Sequence, residues 1–175
     1  MTILFWLVAI VIIVFNFVVF RGAPYVPSHK KQVKGAFKEL YALGSKDVLV
    51  DVGSGDGIIL REAVRHGATA IGYELNPVLV FISRFLSRNN KKVTVYLADF
   101  WFVHLPAETT VVYAFAVTRD INKMATKLQN EATRLNKPLY FISYGNAIPG
   151  RPPVKVVRAH TLYRFEPLHG TQAQV

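Results

Sequence analysis

The sequence predicts an α/β protein: a Rossmann-like sheet with helices on both faces, preceded by one N-terminal transmembrane helix. Three observations predict it. Short runs rich in Val, Ile and Leu recur between helical stretches, at residues 48–52, 69–74, 92–97, 110–117 and 138–144, as strands buried on both faces do. The first run closes on glycines at alternate positions, Gly53, Gly55 and Gly57, and a helical stretch starts at Ile58. Residues 3–20 form an apolar run interrupted only by Asn16.

The 175 residues suffice for one domain and an appendage. Cysteine is absent, which excludes disulfide scaffolds, Cys-zinc sites, Fe–S clusters and cysteine nucleophiles and leaves the redox compartment unread. A net charge of +10 coexists with 51% hydrophobic residues because the two are segregated along the chain. The predicted division is a transmembrane helix over 1–21, an extended segment and basic amphipathic helix over 22–46, the α/β domain over 47–169, and a frayed tail over 170–175.

As a helix, residues 3–20 span about 27 Å, close to the ~30 Å hydrocarbon core. The competing reading, a cleaved signal peptide, needs a basic n-region, whereas Met1-Thr2 carries no charged side chain and no Ala-x-Ala site follows. Residues 21–46 hold Arg21, Lys30, Lys31, Lys34, Lys38 and Lys46 against Glu39 alone, a net 6 − 1 = +5. The positive-inside rule then places the domain in the cytoplasm, on a single-pass anchor, with the mitochondrial inner membrane as the alternative. The expected partner is the lipid bilayer through residues 3–20, its anionic leaflet attracting the basic segment. Nucleic acid ranks lower, since no RNA-binding motif appears and the charge adjoins the apolar run.

Pro24 and Pro27 impose an extended course on residues 23–28. Ser28 is expected to cap a helix over 29–43, with Val33, Phe37, Leu40 and Tyr41 as its apolar stripe and Gly44 as its stop. By position, Tyr25 reads as a linker residue at the membrane surface or as part of a lid carrying an aromatic hydroxyl to the site.

The strand at 48–52, the glycine turn and the helix to about His66 make a nucleotide-binding βα unit. Glycines let a backbone approach a ligand, and the helix N-terminus offers unpaired N–H groups. The spacing is Gly-x-Gly-x-Gly; Ile58 stands where the dinucleotide fingerprint has its third glycine. The second strand ends in Glu74, 21 residues beyond Gly53, where a carboxylate can accept both ribose hydroxyls. Asn76-Pro77 opens the next helix, with Pro77 suited to the first turn. The third strand, 92–97, leads to Asp99 and Phe100; Asp99 is placed to accept from the adenine amine and Phe100 to pack on the ring. Three successive strands thus deliver Asp51 and Gly53, Glu74, and Asp99 to their carboxyl ends, where open α/β sheets bind ligands.

Residues 51–57 (DVGSGDG) with 72–77 (GYELNP) resemble class I S-adenosylmethionine (SAM)-dependent methyltransferases. Within that class, the N-terminal apolar run and residues 23–28 (APYVPS) resemble the membrane-anchored protein-lysine methyltransferases of the ATP synthase c-subunit and adenine nucleotide translocase type, although Ser28 stands where threonine is more usual. The resemblance covers most of the chain and is most specific over 23–99. It implies SAM as cofactor, held by Asp51, Gly53, Ser54, Gly55, Asp56, Gly57, Glu74, Leu75, Asn76, Asp99 and Phe100. It implies a membrane-protein substrate with an accessible lysine, and it moves Tyr25 into the active site.

The fourth strand, 110–117, ends in Phe115, Ala116, Val117 and Thr118, where many amine and amide methyltransferases carry Asn/Asp-Pro-Pro-Tyr/Phe. That departure argues against a nucleobase or glutamine target. Tyr25, Phe115 and Thr118 are the predicted catalytic residues, and Trp101 and Tyr113 join Tyr25 and Phe115 as candidates for the lysine-channel lining. Ile121, Met124, Ala125, Leu128, Ala132 and Leu135 form a helical stripe; strands at 154–159 and 161–166 follow as a hairpin. The five histidines lack ligand spacing, so no metal is predicted. Absence of Gly-x-Ser-x-Gly and of a P-loop disfavours hydrolases and kinases. The rival functions are a lipid or small-molecule methyltransferase, a non-catalytic SAM-binding scaffold and, disfavoured by Ile58, a nicotinamide oxidoreductase.

Overall fold

The computed structural model describes residues 2, 4–6, 9 and 30–168. Apart from residues 4–6 and 9, the expected membrane span lies outside the described residues, as do the segment 23–28 with Tyr25 and the tail 170–175. Among those described, no helix is long and apolar enough to cross a membrane.

Helix α1 (Lys30–Gly35) continues into a π-helical turn, Ala36–Leu40. Then come β1 (Val48–Val52), α2 (Ile58–Arg65), β2 (Thr69–Glu74), α3 (Pro77–Ser87), β3 (Val93–Leu97), a 3₁₀ turn (Phe100–Phe102), β4 (Val111–Ala116), α4 (Ile121–Leu135), β5 (Leu139–Gly145), β6 (Lys155–Val157) and β7 (His160–Phe165). They build one seven-stranded sheet in the order β3-β2-β1-β4-β5-β7-β6. Strands β1 to β5 run parallel, β7 is antiparallel to β5, and the β6–β7 hairpin closes one edge.

The α1 helix stops short of the expected residue 43. Tyr41 is extended (φ −135°, ψ 113°) because Asp47 captures the chain beyond it. Its carboxylate accepts from the Tyr41 hydroxyl at 2.7 Å and from the Gly44 N–H at 2.8 Å. The other helix ends follow local chemistry. Asn76 caps α3 by accepting from Val78 and Leu79 N–H, with Pro77 in the first turn. Asn136, left-handed at φ 51°, ends α4.

The sheet separates two apolar layers. On one face, Val33 and Phe37 of the α1 segment, Leu60 and Ala63 of α2 and Val80 of α3 pack on Leu49, Ala70 and Tyr113. On the other, Ile121, Met124, Leu128 and Ala132 of α4 cover Val50, Val112 and Ala114. Burying each large side chain contributes roughly 1.5–3 kcal/mol, so a wholly buried Leu60 fixes α2 onto β1 and β2. The glycine loop is thereby held at the carboxyl edge of the two central strands.

Candidate functional site

Strand β1 ends at Val52, and the chain turns through Gly53 (φ 72°), Gly55 (φ 53°) and Gly57 (φ 80°) into α2. These left-handed angles are strained for any other residue. A Cβ on Gly53 would meet no atom within 4 Å, so this glycine borders open space. A Cβ on Gly57 would come within 2.2 Å of the Ser83 hydroxyl of α3. The first glycine therefore leaves room for a ligand, and the third leaves room for a helix.

Tyr73 O accepts from Gly53 N–H at 2.9 Å and from Ser54 N–H at 3.1 Å, tying the loop to β2. Glu74 completes the tie: one carboxylate oxygen accepts from Gly55 N–H and the other from Asn76 N–H, each at 2.8 Å. An ionised carboxylate has further lone pairs, so Glu74 can hold the loop and still accept ligand hydroxyls. Asp56 caps α2 through Ile58 N–H at 3.2 Å and pairs with Arg61 at 3.3 Å. Leu75 sits half-buried between Glu74 and the capping Asn76.

Asp51 lies behind the loop, buried, with its Oδ2 unpartnered. Burial pushes its pKa well above the carboxylate range, and the nearby Glu74 and Asp56 charges push it further. Three carboxylates thus converge on one loop without a balancing cation on Asp51, so a cationic ligand is electrostatically matched to the place.

At the third strand end, Asp99 Oδ1 accepts from Trp101 N–H at 3.0 Å and caps the 3₁₀ turn. The Phe100 ring is buried beside Tyr73 and Trp101, with the Lys127 ammonium 5.0 Å from its centroid.

On the α1 side, Asp51 pairs in register with Tyr113, so the two side chains share a face with Phe115, two residues on. Phe115 meets Tyr144 edge to face at 5.5 Å, and Tyr144 stacks on His160 at 4.6 Å. His160 is held neutral, its pKa lowered by burial to about 4, and its Nε2 lies 3.0 Å from the Tyr113 hydroxyl. Thr118 is exposed in the turn after β4; its hydroxyl donates to Asn146 Oδ1 at 3.3 Å while Asn146 Nδ2 donates to Ala116 O at 2.7 Å. The candidate lining does not assemble as one group. Tyr113 is packed into the core against Phe37, and Trp101 sits on the α4 side under the Lys123 ammonium, 4.1 Å from its ring centroid.

One contributor escaped sequence reasoning. Gly72 faces the loop: a Cβ there would lie 2.5 Å from Ser54 Oγ and 2.7 Å from Leu60 Cδ1. A glycine inside a strand run was the available signal. Asn76, expected at the ligand, has its side chain spent on the α3 cap. Among the described residues no cluster of His, Cys, Asp or Glu could hold a metal ion.

The family model for the ANTKMT methyltransferase domain matches residues 51–155. The ATP synthase C-subunit lysine N-methyltransferase of Xenopus laevis is 39% identical over 111 residues, 62% of this chain and 48% of that protein. The adenine nucleotide translocase lysine N-methyltransferase of Mus musculus is 34% identical over 112 residues, again 62% of this chain and 48% of that protein. The chain therefore spans about half the length of these two relatives. Among solved structures, an RNA methyltransferase from Salinibacter ruber in complex with S-adenosyl-L-homocysteine superposes with a TM-score of 0.71 at 26% identity, covering 84% of this chain and 97% of that one. The cofactor of this fold is SAM, and the residues present fit it: open space beside Gly53, a ring of carboxylates suited to a ligand with cationic groups, and an orphaned Asp51 oxygen.

Proposed function

We propose, for a chain that belongs to the ANTKMT methyltransferase domain family, that it is a SAM-dependent protein-lysine N-methyltransferase acting on a membrane protein. The observation that carries the reading is the loop itself: Asp51, Gly53 and Glu74 brought together at the carboxyl ends of β1 and β2, with one buried carboxylate oxygen left for a ligand. SAM supplies the electrophilic methyl group. Asp51, with Glu74 and Asp56 behind it, favours the cofactor's positive charge; Glu74 accepts the ribose hydroxyls while holding Gly55 in place. Asp99 is proposed for the adenine amine through the oxygen opposite its cap, with Phe100 backing the pocket.

The chain's remaining task is to present a neutral amine. A lysine of pKa about 10.4 costs roughly 4–5 kcal/mol to deprotonate at pH 7. An apolar, aromatic channel next to a cation lowers that cost by disfavouring the ammonium. Phe115 lies on the Asp51 face, edge to face with Tyr144, and is proposed for this channel. Tyr25 is proposed to join it, since the segment carrying it leads directly into α1, which covers the same face. Thr118 borders the entrance on the exposed turn. Substrate choice follows the relatives, whose names specify the ATP synthase C-subunit and the adenine nucleotide translocase.

Membrane anchoring through residues 3–20 is part of the proposal, supported by the apolar run and the net +5 that follows it. On this reading the domain lies on the cytoplasmic side of a single-pass anchor, or on the mitochondrial inner membrane. The test is incubation with methyl-labelled SAM and membranes from cells lacking this chain. Label should enter a membrane-protein band and release methyllysine on hydrolysis. Label confined to lipid or small molecules overturns the lysine assignment.

A further inference from the structure

We infer that the outward face of α3 rests on an anionic lipid surface as an interfacial helix. The helix is oriented against the usual amphipathic rule. Its apolar stripe, Val78, Phe81, Ile82, Phe85 and Leu86, has the i, i+3, i+4, i+7, i+8 spacing of a core-facing side. Yet these residues point outward, with Phe81 70% and Phe85 55% exposed. The side against the body carries Val80, Ser83 and Ser87, and both serine hydroxyls are buried without a hydrogen-bond partner. The cause is the close approach of Ser83 to Gly57, where no Cβ would fit. Small residues are spent on that contact, and the large ones are turned away from the domain. A contiguous exposed apolar face of this kind marks an interaction surface.

Charge selects the partner. Residues 77–93 hold Arg84, Arg88, Lys91 and Lys92 and no acid. Arg84 donates to Val95 O on the edge strand, and Lys92 to Gly67 O. Arg88 lies with its guanidinium 4.4 Å from the Phe85 ring centroid, so a cation borders the aromatic face itself; Lys91, three residues on, is exposed. Aromatic and aliphatic residues rimmed by cations are what an anionic interface accepts. A second copy paired isologously would set these cations against their own equivalents. The chain's own apolar run, residues 3–20, has no carboxylate to meet them. Anionic lipid satisfies both features. The inference stands on the described α3 face and holds whether or not residues 3–20 span a membrane.

The chain has no cysteine, so Phe85→Cys and, as an exposed control on the loop before β4, Glu108→Cys give single sites for a fluorophore in the full-length protein. Each labelled chain is mixed with vesicles of phosphatidylcholine alone, or of phosphatidylcholine with phosphatidylglycerol, both carrying a nitroxide-labelled lipid. The expected result is strong quenching at position 85, little at 108, and dependence on the anionic lipid. Replacing Arg88 and Lys91 by glutamine should lower the docked fraction by about fivefold in partitioning for each charge. Equal quenching at both positions, or none at 85, overturns the inference. So does shielding of position 85 from aqueous iodide without lipid, whether it grows with protein concentration, as for a second copy, or does not, as for residues 3–20. An alkaline wash that strips the chain from the vesicles would count against the span alone, because the quenching is read separately.

Discussion

Asp51 and Glu131 are both buried carboxylates, each 3% exposed, and they are opposites. Glu131, on α4, accepts from Leu105 N–H at 2.9 Å and from Arg134 at 2.6 and 3.1 Å, and lies 2.7 Å from His104 Nδ1. Burial raises its pKa, but Arg134, His104 and the Leu105 N–H outweigh burial and hold it below the ordinary carboxylate value. Asp51 has burial, Glu74 and Asp56 all acting upward, and one oxygen with no partner. A buried acid with both oxygens engaged clasps the scaffold, here the loop after the 3₁₀ turn to α4. A buried acid with an idle oxygen keeps an acceptor that a ligand could use, as proposed for Asp51. Burial alone does not distinguish them; partner bookkeeping does.

The sharpest break in that comparison is Glu131→Ala. It orphans the buried Leu105 N–H and the Arg134 fork, so unfolding in denaturant should show a loss of about 2–4 kcal/mol, with SAM affinity by calorimetry unchanged. Loss of SAM binding with the fold intact would erase the distinction. Glu74→Ala should do the reverse. It frees Gly55 and Asn76 N–H and removes the proposed ribose acceptor, so SAM binding should weaken about a hundredfold, with a smaller effect on the unfolding midpoint.

Protonation separates the groups next. His160 has a folded pKa of about 4 against about 6.5 unfolded. Between those values the unfolded chain takes up the proton first, so stability falls as pH drops, at up to about 1.4 kcal/mol per unit. A His160→Gln chain should lose that slope in a denaturation series from pH 7 to 4. The two acids contribute with opposite signs. Glu131, its pKa lowered, adds stability above the ordinary carboxylate pKa that is lost as pH falls through its folded value. Asp51, its pKa raised, keeps its proton longer when folded, so its contribution declines as pH rises above about 4. The smallest effect is therefore Asp51→Asn at pH 7: the ligand-free chain should gain about 1 kcal/mol in stability, and SAM binding should weaken about tenfold. If the Asp51→Asn chain is instead destabilised, Asp51 serves the scaffold as Glu131 does.

Most of the sheet was legible because buried parallel strands announce themselves as β-branched runs between helices, and β1 and β2 fall where those runs lie. Helix ends were legible where one residue dictates the cap, as Asn76 and Pro77 do. The end of α1 was not, because Asp47 captures Tyr41 and Gly44 only once the chain has folded back. The glycine loop was visible as spacing, but not the division of labour within it. That Gly53 opens to space while Gly57 accommodates Ser83, 26 residues later, is a packing fact. The burial of Glu131 was hidden in a helical stripe whose i+3 position from Leu128 carries an acid, and for α3 the sequence marked only the Asn76-Pro77 start, not the side it turns to the sheet.

The sequence by itself determined the strand and helix order, the glycine turn, and the delivery of acids to successive strand ends, since these depend on periodicity and local backbone chemistry. Only the tertiary structure decided which acids are partnered, which glycine borders open space and which way α3 turns its apolar stripe. Those outcomes depend on which atoms meet across 20 or more intervening residues, and desolvation and hydrogen bonding are settled at those meetings.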